Sequence, residues 1–346
     1  MSAQKIKVGG IFIGGGSPIT VQSMTNTDTR DVDATVEQIL RLQNAGCDIV
    51  RSSVYDKDCV KAIPKIIGRI NIPLVADIHF DYRLAIGAME AGVHKIRFNP
   101  GNIGDDIHVK EVADCARAHS VPIRIGVNAG SLEKRFETLN TAEAMVASAL
   151  RHVKLLEDNG FYDIVISMKA SSVKTTIEAY RLISKQVDYP LHIGVTEAGT
   201  RDLGEIKSAI GIGALLADGI GDTIRVSLTG DPVQEVTAGK KILRAIGALL
   251  DDVEIISCPT CGRTGVNLEG AVEYVSKNVR RNAGYLKLAV MGCAVNGPGE
   301  AKDADIGIAF GKGNGVLFEK GEKVLSGDAK EMTEELVRRA NARLNG

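Results

Sequence analysis

From residue 20 onward, short apolar runs rich in β-branched residues alternate with longer stretches whose apolar positions recur every three or four residues. Runs of the first kind predict strands, and stretches of the second kind predict amphipathic helices. Eight runs occur, at residues 20–24, 48–52, 74–79, 95–99, 122–127, 163–168, 191–196 and 223–227. The run Asp163-Ile-Val-Ile-Ser-Met168 is apolar almost throughout, which suits a strand covered on both faces. Between the runs, Val36, Ile39 and Leu40 follow Asp31, a candidate N-cap, and Met145, Ala149, Val153 and Leu156 repeat at helical spacing. Eight βα units in about 250 residues predict an α/β chain with an N-terminal (β/α)8 TIM barrel over residues 1–250. An open doubly wound sheet is the competing arrangement. It is disfavoured because no G-x-G-x-x-G turn opens a helix after a strand and no G-x-x-x-x-G-K-[ST] loop occurs.

Beyond residue 250 the alternation stops. Residues 251–346 bring Cys258-Pro-Thr-Cys261, a glycine-rich Met291-Gly-Cys-Ala-Val-Asn-Gly-Pro-Gly299, a Gly311-Lys-Gly-Asn-Gly315 turn and a charged helix from about Ala329. They predict a second, smaller α+β domain. Two domains also follow from 346 residues at roughly 150 per domain. A hydrophobic fraction of 44% with 25% charged residues excludes general disorder. No run approaches the roughly 18 apolar residues of a membrane span, and the N-terminus lacks the apolar stretch of a secretory signal, so a cytoplasmic protein with no membrane association is expected. Lys+Arg at 42 against Asp+Glu at 43 argues against a nucleic-acid partner, as does an aromatic fraction of 4% without tryptophan. Any concentration of positive charge must be local.

The strand ends supply that concentration. In a (β/α)8 barrel the active site lies at the C-terminal ends of the strands. Those ends carry Arg51, Arg97 with Asn99, Arg124 with Asn128, Ser167 with Lys169, and Arg225 with Ser227, while two other strands bring Asp77 with His79 and Thr196 with Glu197. Five cations converging on one mouth, with hydroxyl and amide donors between them, predict a site for a multiply charged anion such as a diphosphate. Pairing with neighbouring acids could account for any one of these cations. It accounts poorly for the set, because each cation buried without a counter-charge costs several kcal/mol. His79 by itself is equally compatible with a structural role.

Six cysteines divide by position. Cys47, Cys59 and Cys115 have no metal-ligand spacing and are expected to be buried structural thiols. Cys258 and Cys261 form a C-x-x-C, and Cys293 follows after 31 intervening residues. A structural zinc site wants a fourth cysteine or histidine, but the last histidine is His192, and a disulfide would leave one thiol over. Three thiolates with a weaker oxygen ligand on the fourth iron of an iron-sulfur cluster fit the count best, with zinc the competing metal. Glu300, in a Gly-Pro-Gly-Glu turn, is the available carboxylate.

Ser257-Cys-Pro-Thr-Cys-Gly-Arg263 and Met291-Gly-Cys-Ala-Val-Asn-Gly-Pro-Gly-Glu300 resemble the bacterial 4-hydroxy-3-methylbut-2-enyl diphosphate synthases of the non-mevalonate isoprenoid pathway. Pro18-Ile-Thr-Val-Gln-Ser-Met-Thr-Asn-Thr-Asp-Thr29 and Ile96-Arg-Phe-Asn-Pro-Gly-Asn-Ile-Gly104 extend the resemblance over essentially the whole chain. It implies a [4Fe-4S] cluster on Cys258, Cys261, Cys293 and Glu300, in a domain similar to the cluster-binding part of sulfite and nitrite reductases. It also implies the substrate 2-C-methyl-D-erythritol 2,4-cyclodiphosphate, opened by two electrons with loss of water. Family positions that bind its diphosphate match Arg51, Arg97, Asn99, Arg124, Asn128, Lys169, Arg225 and Ser227. Thr196 and Glu197 match positions near the reacting carbons, and Glu197 is the candidate for positioning or protonating the departing hydroxyl. With no dinucleotide fingerprint, flavodoxin or ferredoxin is the expected electron donor. A barrel transferase of pterin-synthase type with a purely structural metal is the alternative.

Topology adds one expectation. The eighth helix, expected to end near Leu250, returns the chain to the N-terminal face of the barrel, away from the strand ends. About seven linker residues extend at most roughly 25 Å, comparable to the height of a barrel with its loops. The cluster domain of one chain is therefore expected to serve the barrel of a second, in a two-fold homodimer with shared active sites. Head-to-tail dimers are also what the family resemblance implies.

Overall fold

The computed structural model describes residues 2–98, 106–197, 199–293, 295 and 297–345. Two compact units divide at Ala248 and Leu249. The first opens with an antiparallel hairpin, β1 (Lys5–Val8) and β2 (Ile11–Gly14). Strands and helices then alternate: β3 (Thr20–Met24), α1 (Val32–Asn44), β4 (Ile49–Ser53), α2 (Lys57–Ile67), β5 (Leu74–Asp77), α3 (Tyr82–Glu90), β6 (Lys95–Phe98) and α4 (Asp106–His119). The second half repeats the pattern with β7 (Ile123–Asn128), α5 (Thr141–Glu157), β8 (Ile164–Lys169), α6 (Val173–Ile183), β9 (His192–Ile193), α7 (Arg201–Ala217), β10 (Thr223–Ile224) and α8 (Pro232–Ala245).

The strands hydrogen-bond in the order β8-β7-β6-β5-β4-β3-β10-β9. A parallel bridge between Ile166 and Leu191 closes the ring, with the Ile166 N–H donating to the Pro190 carbonyl at 2.9 Å. The expected (β/α)8 barrel is therefore present. Each helix returns along the outside and buries its apolar stripe on the strands; on α5 that stripe includes Met145, Ala149, Val153 and Leu156. Asp31, Asp56, Asp81, Asn140, Ser172 and Asp231 cap α1, α2, α3, α5, α6 and α8, each side chain accepting a backbone N–H. These helix N-termini follow the strand ends, so the positive poles of the helices face the same side as the site.

Three expectations need correction. The seventh and eighth strands are shorter than the apolar runs suggested. Gly194 lies against the Arg225 carbonyl, a contact that a β-carbon would forbid, and the chain leaves the ladder there. Helix α8 ends at Ala245 rather than near Leu250, because Gly247 adopts a left-handed φ of 74° and the amides of Gly247 and Ala248 turn back on the carbonyls of Arg244 and Leu243. Among the isolated cysteines, Cys47 and Cys59 are buried, but Cys115 on α4 is only half-buried.

The hairpin was not anticipated. Ile6, Val8 and Ile13 are fully buried against Ile49, Val75 and Val165, residues near the starts of β4, β5 and β8. The hairpin thus stoppers the N-terminal end of the barrel, and the Ser2 amide reaches Asp222 just before β10.

The second unit is a five-stranded mixed sheet of β11 (Val253–Ser257), β12 (Leu286–Met291), β13 (Ile306–Phe310), β14 (Asn314–Glu319) and β15 (Glu322–Asp328), in that order. The first three strands run parallel and the last three antiparallel. Helices α9 (Leu268–Asn278) and α11 (Ala329–Arg343) cover one face, where Val275, Leu336 and Ala340 pack with Leu288, Val290, Ile308 and Leu317. The other face carries smaller side chains, Ala289, Ala309 and Ala301, next to the short α10 (Gly297–Glu300).

Candidate functional site

Side chains alternate along each barrel strand, so residues two apart point the same way. The inward phase carries Arg51 on β4, Asp77 on β5, Arg97 on β6, Arg124, Gly126 and Asn128 on β7, and Ser167 and Lys169 on β8. Together with His79, Thr196 and Arg225, these residues line one cleft of about 130 Å³ at the C-terminal mouth. All five cations expected there are brought together, with Asn128, Thr196 and His79. Ser227, two residues beyond Arg225, is half-buried and does not line the cleft; Asn99 lies outside the described residues.

One carboxylate organises the cluster. Asp77 receives Arg97 Nη1 at 3.2 Å and stands 3.6 Å from Arg51 Nε. Burial opposes its ionisation, but Arg51, Arg97, His79 and Arg124 outweigh it and hold its pKa below the ordinary 3.8. Arg97 Nη1 also contacts His79 Nε2 at 3.3 Å, and Arg51 Nη2 rests 2.7 Å from the Met24 sulfur. Gly126 makes room for Arg97: a β-carbon there would lie 2.6 Å from Nη2. Behind Arg225 the buried Glu235 on α8 accepts the Ser23 hydroxyl and the Leu228 amide, both at 3.1 Å, and stands 3.6 Å from Arg225 Nε.

The remaining cations are not neutralised within the described residues. Arg124 is 1% exposed, and neither its Nε nor its Nη1 has a hydrogen-bond partner; Lys169 Nζ is likewise unpartnered. Burial, reinforced by neighbouring cations, pushes the pKa of both well below normal and brings Arg51 down to about 10. Among the described residues, five cations share a cleft with one lining carboxylate. Such a site is built for an anion carrying more than one charge.

A second cleft of about 330 Å³ adjoins the first through Asn128, Lys169 and Thr196, and extends to Ser131, Ser171 and Glu197. Glu197 is exposed and adopts a left-handed φ of 51°, a strained conformation for a residue with a β-carbon. The arrangement offers a strongly cationic pocket for charge and, beside it, a larger mixed pocket with a carboxylate at its rim.

In the second unit, Cys258 follows β11 and Cys293 follows β12, at the same ends of paired parallel strands. The Gly292 amide donates to the Cys258 sulfur at 3.2 Å, and the Gly265 amide to the Gly292 carbonyl at 3.3 Å, tying the two cysteine loops together. Cys261 is exposed at the loop tip, and hydrogen bonding from the Arg263 amide lowers its pKa, favouring the thiolate. Among the described residues no three His, Cys, Asp or Glu side chains form a ready metal-binding group. The side chain of Glu300 lies outside them, although its backbone is in α10, which packs on β12 and β13. Three soft donors on two tied loops, two of the sulfurs already accepting backbone N–H groups, are suited to a thiolate-bound cluster.

Several inward residues were not singled out from the sequence. Glu235 on α8 escapes because the strand residue it holds, Ser23, is 212 positions away. Lys95 and His192, both fully buried, sit one step below Arg97 and Gly194 in the inward phase; Lys95 was legible as the residue two before Arg97.

Comparison with known proteins shows that residues 3–240 match the family model described as the GcpE TIM-barrel domain, and residues 254–342 the GcpE protein C-terminal domain. The chain is 56% identical over 338 residues to a Clostridium perfringens protein named 4-hydroxy-3-methylbut-2-en-1-yl diphosphate synthase (flavodoxin), covering 97% of each. It is 59% identical over 340 residues to a protein of the same name from Caldanaerobacter subterraneus, covering 97% of this chain and 95% of the relative. Among solved structures, Yersinia pestis dihydropteroate synthase aligns with a TM-score of 0.52 at 13% identity, over 71% of this chain and 98% of that one. At that identity the likeness is one of fold alone.

Proposed function

The chain belongs to the GcpE family, and from that premise we propose that it converts 2-C-methyl-D-erythritol 2,4-cyclodiphosphate to (E)-4-hydroxy-3-methylbut-2-enyl diphosphate in isoprenoid biosynthesis. Two electrons and two protons enter and one water leaves as the ring opens. The observation that carries this reading is the mouth in which Arg51, Arg97, Arg124, Lys169 and Arg225 meet with Asp77 as the one lining carboxylate among the described residues. A cyclic diphosphate supplies the missing negative charge. The same cations stabilise the phosphate oxygen that gains charge as its bond to carbon breaks, an electrostatic role for groups already in place. Asn128 adds an amide donor from the cleft wall, and Asn99 and Ser227 are further donors in this reading. His79 holds Arg97 in position.

The carbon skeleton then extends into the adjoining cleft toward Thr196 and Glu197. Glu197 positions or protonates the departing hydroxyl from the rim of this cleft, where its backbone is strained. Cys258, Cys261 and Cys293 with Glu300 would hold a [4Fe-4S] cluster. When bound, this cluster supplies single electrons and a Lewis-acidic iron. Flavodoxin is the donor in the names of the relatives and, with ferredoxin, the donor proposed for this chain. Such carriers are cytoplasmic partners, and no helix among the described residues is long and apolar enough to cross a membrane.

A homodimer completes the proposal. Seven residues, 246–252, join α8 to β11 and cannot reach further than roughly 25 Å. Leu203, Ile206 and Ile210 on α7, with Ile246, form an exposed apolar strip that a second copy of the chain would cover. In such a dimer the cluster unit of one protomer serves the barrel of its partner. Mixing Arg51→Ala and Cys293→Ala chains should then restore part of the activity.

The reading as a whole is tested on anaerobically purified protein. It should absorb broadly near about 400 nm, bleach under dithionite and consume the cyclic diphosphate with reduced flavodoxin. A colourless, zinc-loaded protein that turns over this substrate overturns the redox assignment. The alternative, a pterin-synthase-type transferase, has only the barrel fold in its favour.

A further inference from the structure

Beneath the anion cleft the barrel does not change directly to an apolar core. Lys95 projects inward from β6, one inward step below Arg97, and is fully buried. Its Nζ has no hydrogen-bond partner among the described residues. The charged groups that act on it are both cations, Arg124 from β7 and Arg51 from β4. His192 on β9 is equally buried, has neither ring nitrogen partnered, and feels Lys95 together with Arg124, Lys169 and Arg51. Gln22 on β3 and Thr223 on β10 contribute further unpartnered polar atoms to the interior. Among the described residues no carboxylate faces Lys95 closely enough to act as its counter-ion; Asp77, the nearest acid by topology, is engaged with Arg51 and Arg97.

An ammonium group buried under such conditions gives up its proton rather than remain charged. Lysine can do this where arginine cannot, which distinguishes Lys95 from the guanidiniums above it. A multiply charged anion arriving in the cleft changes the balance. Its field acts on Lys95 through Arg97 and Arg124 at short range and low dielectric. We propose that Lys95 is the charge-regulating residue of the anion site: an uncharged amine in the free protein that takes one proton from solvent when the diphosphate binds. Lys169, which lines the cleft itself and is also unpartnered, differs from Lys95 in that the Glu235 carboxylate offsets part of the cationic field on it. The barrel thereby matches its positive charge to the ligand without holding the full charge when empty. Lys95 acts through its neighbours and is a positioning residue, not a catalytic one.

This inference rests on the proposed diphosphate ligand, and the experiment separates the two. The cyclic diphosphate is titrated calorimetrically into oxidised holoenzyme, without reductant so that no turnover occurs. The titration is repeated near pH 8 in buffers of widely different ionisation enthalpy, about two units below the ordinary lysine pKa. The slope of observed heat against buffer enthalpy counts protons taken up. About one per site is expected for the unaltered enzyme, falling to near zero in Lys95→Met while binding persists. Lys95→Gln serves if the methionine variant does not fold. No binding at all by the unaltered enzyme overturns the diphosphate reading. Binding without proton uptake, or an undiminished count in a folded Lys95 variant, overturns the role of Lys95.

Discussion

Replacing Asp77 with asparagine removes one negative charge from a buried cluster while preserving shape. At 3.2 Å and 3.6 Å from Arg97 and Arg51, the carboxylate attracts each guanidinium by about 5 kcal/mol at an effective dielectric near 20, before desolvation is subtracted. What remains when one partner of a buried pair is deleted is about 3–5 kcal/mol of lost stability, because uncompensated charge is left inside. For a unit of this size each kcal/mol moves the midpoint by about 2–4 °C, so the barrel transition should fall by roughly 6–20 °C. Two signatures separate this account from ordinary disruption. First, the folded pKa of Asp77 is depressed, so its contribution is present above the ordinary value of 3.8 and lost as pH falls below that through the folded value. The stability of Asp77→Asn should lack this acid limb. Second, added diphosphate should raise the variant's midpoint by more than it raises that of the unaltered enzyme, since the ligand substitutes for the deleted charge. The assay is thermal unfolding followed by circular dichroism, across pH and with ligand. A loss below about 1 kcal/mol, or a smaller ligand response in the variant, would refute the reasoning.

Three further outcomes follow from particular contacts. Gly126→Ala places a β-carbon against the Arg97 guanidinium and should raise KM by about tenfold or more, with the fold intact by circular dichroism. Alanine at Cys258, Cys261 or Cys293 should abolish the brown colour and reduce iron on analysis, whereas alanine at Cys47 or Cys115 should leave both unchanged; an active, fully loaded Cys258→Ala enzyme refutes the ligand assignment. Ile206→Lys with Ile210→Lys charges the exposed strip on α7 and should shift the protein to monomer by sedimentation, with activity falling in parallel; a stable dimer of the double variant places the interface elsewhere.

The parts of the fold legible in the sequence are those governed by local pattern. A nearly continuous apolar run marks β8 because this strand is covered on both faces, and Asp31 marks the start of α1 because its side chain caps the Ala34 amide. The cation cluster was legible because the barrel rule assigns strand ends to a common mouth, so five separate residues become one site. Pairing inside that mouth was not legible. Which acid meets which base depends on ring closure, and Glu235 reaches Ser23 only because β10 and α8 lie beside β3. The hairpin also escaped, since Ile6, Val8 and Ile13 alternate too briefly to announce a buried surface, and their partners lie 36 or more positions away. Strand ends at Ile193 and Ile224 were obscured because residues beyond them stay apolar or inward-facing after the ladder has stopped.

The hairpin that stoppers the barrel has a consequence for how the molecule is made. The hairpin leaves the ribosome apolar on one face and ahead of its docking site, which combines Ile49, Val75 and Val165 with an anchor at Asp222. At about 5–20 residues per second, the last of these partners emerges more than ten seconds after the hairpin. For that interval Ile6, Val8 and Ile13 have no completed surface to cover them, and β3 waits for β10 in the same way. A chain interrupted anywhere before residue 224 leaves both ends of the ring open at once. Truncated products should therefore be handled as unfolded chains by chaperones and proteases, rather than accumulating as smaller stable barrels.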